Sequence, residues 1–63
     1  MNGLRIKTVD GEDALFKGKD AEKIYNSINN AGAKGAAWAG PIKLENGWSV
    51  TFVLSNIISM STK

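Results

Sequence analysis

Two Asx-Gly dipeptides, Asp10-Gly11 and Asn46-Gly47, constrain this chain more than any other feature. Each lies between segments in which apolar and polar residues alternate, the mark of a β-hairpin. Before the first, Leu4, Ile6 and Thr8 share one face and Arg5, Lys7 and Val9 the other; beyond it, Ala14-Leu15-Phe16 resumes the pattern. Turn length then fixes the register, because a slip of one residue moves every side chain to the opposite face. A two-residue Asp10-Gly11 loop sets Ile6 opposite Leu15 and Leu4 opposite Lys17. A three-residue loop, with Gly11 in the left-handed bulge position, pairs Thr8 with Glu12, Ile6 with Ala14 and Leu4 with Phe16. Only the second gathers the apolar side chains on one face. By the same reasoning, a loop of Glu45, Asn46 and Gly47 pairs Leu44 with Trp48 and Ile42 with Val50, whereas a tight loop sets Leu44 opposite Ser49. The sequence therefore predicts two glycine-bulge hairpins.

Between the hairpins, Ala21, Ile24, Tyr25 and Ile28 form one apolar stripe at helical spacing. This predicts a helix over residues 21–31, with Asp20 as N-cap for the amides of Glu22 or Lys23 and Gly32 as the left-handed stop. Residues 33–40 are small and glycine-rich around Trp38 and read as a loop, with a short extended piece at residues 36–39. Pro41 has no amide hydrogen for a ladder, so it belongs at a strand start or edge. Ile42 to Leu44 reads as a strand. Trp48, Val50, Phe52 and Leu54 alternate inward, Ser55-Asn56 turns, and Ile57 to Met60 forms a last strand. The order β-β-α-β-β-β predicts one α+β domain over residues 1–63, a small curled sheet or open barrel with one covering helix. Its expected core includes Ile6, Phe16, Ile24, Ile28, Val50 and Phe52.

Size then becomes an argument about association. A core in a chain this short supplies about 3–5 kcal/mol. The chain has no Cys and no His, so neither a disulfide nor a structural zinc site is expected to reinforce it. Unusually good packing or self-association remains; self-association is the expectation, with a symmetric dimer as the default geometry. Val53, Ile57 or Ile58, and Trp38 cannot all point inward if the alternation holds. An interface is therefore expected at Val53, Ile57 and Ile58, with the final strand, Ile57 to Met60, as its natural edge.

The same absence of His and Cys removes the commonest general bases and nucleophiles, so no catalytic residue, no cofactor and no enzymatic activity is expected. Asp10, Glu12 and Asp13 cluster at a turn but lack the spacing of a calcium loop, and a solvated turn explains them. Gly32-Ala33-Lys34-Gly35 lacks the Gly-Lys-Ser/Thr ending of a phosphate loop, and a helix stop with a connector is the plainer reading. Even so, Lys34, Gly35 and Trp38 are the candidate ligand-binding residues, since a lysine, glycine-loop amides and a nearby indole suit a small phosphorylated ligand. Arg5, Lys7 and Lys17 share the outer face of the first hairpin beside Leu15, and form the candidate nucleic-acid surface. Asp13, opposite Lys7, neutralises part of that face, and eight Lys+Arg against six Asp+Glu leave a net charge of only +2. No apolar run is long enough for a signal peptide or a membrane span, and Asn2 stands where myristoylation needs glycine, so a cytoplasmic location is expected.

The Ile/Lys alternation into Asp-Gly, the one-helix segment DAEKIYNSI (residues 20–28), and the strand-Asn-Gly-strand ending in LSNIISM (residues 54–60) together resemble small accessory proteins of phages and prophages of Gram-positive bacteria. The resemblance spans most of the chain and transfers no functional residue. It implies a non-enzymatic role in the host cytoplasm, as an inhibitor of a host protein or a protein that sequesters a small signalling ligand. The expected function is thus an oligomeric binding protein, and the alternative is a small-barrel nucleic-acid binder.

Overall fold

The computed structural model describes Met1–Lys63 in the order β1 (Gly3–Thr8), β2 (Asp13–Lys17), α1 (Gly18–Ala33), β3 (Trp38–Lys43), β4 (Ser49–Val53), a single 3-10 turn (Leu54–Asn56) and β5 (Ile57–Thr62). The strands form two antiparallel sheets, β2-β1-β5 and β3-β4, which do not close into a barrel. The domain is α+β with its single helix packed against β1, β2 and β3. That helix is not long and apolar enough to cross a membrane.

The two turns share one geometry. The Thr8 amide donates to the Glu12 carbonyl at 3.0 Å and the Gly11 amide to the Thr8 carbonyl at 3.1 Å, with Gly11 at φ +88°. In the second hairpin the Leu44 amide donates to Trp48 O at 2.7 Å and the Gly47 amide to Leu44 O at 3.1 Å, with Gly47 at φ +92°. The residue before each glycine has the same task. Asp10 Oδ1 accepts the Glu12 amide at 3.3 Å, and Asn46 Oδ1 accepts the Trp48 amide at 3.0 Å. The paired residues are the expected ones: Leu4 with Phe16, Ile6 with Ala14, Ile42 with Val50.

The helix is longer than its apolar stripe. Gly18, at φ +60°, turns the chain out of β2, and Lys17 occupies the N-cap without a side-chain bond. Asp20 is therefore inside the first turn, where its charge suits the helix dipole. Its Oδ1 accepts the Glu45 amide at 3.0 Å, tying the helix start to the second hairpin. Gly32 lies within the helix. The left-handed stop is Gly35, at φ +71°: its amide donates to Gly32 O at 3.2 Å and the Ala36 amide to Ala31 O at 2.9 Å, the two bonds of a Schellman cap.

Trp38 opens β3, so the short extended piece expected at residues 36–39 joins the strand of Ile42, and Pro41 lies within an edge strand. A bulge makes this possible. Ala39 pairs with Phe52 and Ile42 with Val50, so Gly40 and Pro41 together oppose Thr51. Gly40 is held at φ +128°, and a Cβ there would stand 2.7 Å from Val50 O. Only glycine allows the two strands to approach this closely. The Gly40-Pro41 peptide is cis.

Nine residues are buried, eight of them hydrophobic: Leu4, Ile6, Ala21, Ile24, Ile28, Ala31, Ala39 and Ile42. Ile6, Ile24 and Ile28 are among the expected core. Phe16, Val50 and Phe52 are only half-buried, and Trp48 is exposed outright. The helix explains this split, because it packs mainly against β3 and much less against β4. Ala39 and Ile42 on β3 are therefore sealed, while their partners Phe52 and Val50 keep one side open. Phe52 meets Phe16 of β2 edge to face, with ring centroids 6.0 Å apart. The last strand extends to Thr62, two residues past its expected end, and pairs along β1.

Candidate functional site

The first candidate surface is the outer face of the β2-β1-β5 sheet. Along β1 the buried Leu4 and Ile6 alternate with the exposed Arg5 and Lys7, so both cations point away from the helix. Lys17 lies opposite Gly3 on one side, and Lys63 is bonded to Gly3 on the other: the Lys63 amide donates to Gly3 O at 3.0 Å. Two lysines thus flank a position without a side chain. An open depression forms there, with Arg5, Leu15 and Ser61 along its floor. The structure brings Arg5, Lys7 and Lys17 onto one face, as their spacing implies. Lys63 joins them, and sequence reasoning missed it because the last strand was ended at Met60.

Asp13 moderates the charge of this face. It stands opposite Lys7 in register but bonds diagonally to Arg5, whose Nε donates to Asp13 Oδ1 at 3.0 Å. That bond, and after it the charge of Asp13, holds the guanidinium still more firmly in its charged form. Asp10 turns the other way, accepting from the Thr8 hydroxyl and the Glu12 amide, and both bonds lower its pKa, the hydroxyl more than the amide. Asp10 and Asp13 therefore serve separate local contacts.

The second surface is the outer face of the β3-β4 hairpin. Trp38 and Val53 are directly opposed there and both exposed, at 60% and 44%. Trp48, 74% exposed, projects from the far end of the same hairpin. Lys34 and Gly35 precede Trp38, but their amides are committed to the helix cap: Lys34 N–H bonds Asn30 O at 3.1 Å and Gly35 N–H bonds Gly32 O. This loop offers a ligand its side chains and not the cradle of free amides considered from the sequence.

Of the three expected interface residues, Val53 and Ile58 are exposed, whereas Ile57 packs against the core. Ile58 owes its position to a bulge. Lys7 pairs with Ser59 and Thr8 with Ile57, so Ile58 is the extra residue and is left 66% exposed. No family model, curated protein or solved structure matches the chain.

Proposed function

We propose that this chain is a non-catalytic binding protein that acts as a homo-oligomer, placing its exposed sheet surfaces against its own copies and against a partner. One observation carries the reading: seven large hydrophobic side chains are exposed, including both tryptophans, against a core of eight buried hydrophobic residues. Trp and Tyr are enriched where interfaces form, and an exposed apolar side chain gains about 25 cal/mol for each Å² that association removes from water. A marginal core and a surplus of outward apolar surface have one common remedy, which is a second chain. An inhibitor of a host protein, or a protein that captures a small ligand between subunits, fits this arrangement. Native mass spectrometry of protein purified from cells tests it. The expected spectrum shows multiples of the chain mass, with any retained ligand or partner; a bare single-chain mass at every concentration would end the proposal.

A second reading is favoured by the lysine pair around Gly3. Arg5, Lys7, Lys17 and Lys63 on one open sheet face suit the phosphates of a single-stranded nucleic acid. Such binding weakens steeply with salt because phosphate contacts release counterions. Binding of an oligonucleotide that fades between low and moderate salt and is lost in Lys17→Glu would support this reading; no binding at low salt would exclude it.

A further inference from the structure

We infer that two copies of this chain join edge to edge through antiparallel β5 strands, making one continuous sheet of six strands from the two three-stranded sheets. This deepens the oligomer reading and rests on it. The direction of the backbone groups supplies the first argument. Lys63 and Gly3 exchange both main-chain bonds, at 3.0 and 3.3 Å. Bonded and non-bonded pairs alternate along an antiparallel ladder, so Arg5 and Ser61 form the next bonded pair. Thr62 and Met60, which lie opposite Leu4 and Ile6, then turn their N–H and C=O groups away from β1. The other side of β1 agrees, since the Thr8–Glu12 bond places Ile6 and Leu4 in the bonded set toward β2. β5 has no strand on its far side, so the groups of Met60 and Thr62 face an open edge.

The second argument is how the edges are guarded. Natural sheets blunt free edges with charge, proline or brevity. β2 carries Asp13 and Lys17 at its ends, and β3 carries Pro41 and Lys43. β5 is six residues, Ile-Ile-Ser-Met-Ser-Thr, with no charge and no proline. The strand itself is neutral, and about an axis at Met60 the Lys63 that follows it lies opposite Ile57 of the second copy and not its own counterpart, so two copies meet without like-charge repulsion. A twofold axis at Met60 sets Thr62 opposite Ile58 of the second copy and draws the exposed Ile58 of each chain into the junction. β4 is also uncharged but shorter, five residues against the six of β5.

Amide hydrogen exchange by NMR at low and high protein concentration tests this directly. The Met60 and Thr62 amides are expected to exchange freely when dilute and to become protected when concentrated. Thr62→Pro removes an outward amide at a position where an edge strand tolerates proline, and Ile58→Lys adds the missing guard. Each is expected to weaken association by about tenfold or more, with helix content unchanged by circular dichroism. If the parent associates but these amides stay open, and Val53→Lys dissociates it instead, the β5 junction is wrong while the oligomer reading stands. A parent that remains a monomer overturns both.

Discussion

Replacing Gly40 by alanine tests how the second hairpin is held against the core. Two costs are readable from the structure. The backbone at φ +128° is a conformation that side chains rarely adopt, worth about 1–3 kcal/mol. The added Cβ would also stand 2.7 Å from Val50 O and 3.0 Å from Thr51 Cα, both backbone atoms that cannot swing aside. Overpacking of this kind costs about another 1–3 kcal/mol. Together they reach about 2–6 kcal/mol, against the roughly 3–5 kcal/mol that a domain of this size commands. Two other glycines separate the terms. Gly47 has φ +92° and nothing within 4 Å of its Cβ position, so Gly47→Ala bears only the backbone cost, about 1–2 kcal/mol. Gly32 sits in the helix with open space around it, so Gly32→Ala should stabilise by about 0.4–1 kcal/mol. Urea midpoints should therefore fall in the order Gly32→Ala, parent, Gly47→Ala, Gly40→Ala. Each 1 kcal/mol corresponds to about 4–8 °C in Tm. A Gly40→Ala variant as stable as Gly47→Ala would mean that the strands are not in contact at the bulge.

Other substitutions probe other parts of the structure. Ile24→Ala should cost about 2–5 kcal/mol in urea unfolding, because the side chain is fully buried, and more than Leu15→Ala, whose parent side chain is 62% exposed. Arg5→Ala should leave the urea midpoint close to that of the parent, as expected for an exposed ion pair, and double-mutant analysis with Asp13→Ala measures the pair. The lowered pKa of Asp10 means that its bonds stabilise the fold above the unfolded-state value of 3.8 and are lost as pH falls through the folded one. Thr8→Val removes the larger cause, so Asp10 should titrate nearer its ordinary position by NMR; an unchanged titration would show that the hydroxyl bond does not govern it.

The local features of this fold were more legible than the global ones. Asp10-Gly11 and Asn46-Gly47 specified both turn geometry and register, because only the bulge register places Leu4 against Phe16 and Ile42 against Val50. These are rules of a few neighbouring residues, and a single sequence contains them. Trp48 shows the limit. Its alternation with Val50 and Phe52 assigns it to the inner face, yet nothing in the sequence says that α1 packs mainly against β3 and not β4. The helix stop was misplaced for a similar reason. Gly32 and Gly35 are equally able to end a helix, and the choice fell to the one whose cap lets the Ala36 amide return to Ala31. On the candidate surfaces, Arg5, Lys7 and Lys17 followed from strand alternation. Lys63 did not, because its place beside Gly3 depends on the pairing of β5 with β1 across the whole chain.

Sedimentation equilibrium of the parent chain, from low to high micromolar concentration, addresses self-association most directly. The surplus of exposed apolar side chains and the unguarded β5 edge predict an average mass that rises with concentration above the 6.7 kDa of one chain, toward a dimer or a larger closed assembly. A mass that stays at 6.7 kDa up to high micromolar concentration would contradict it.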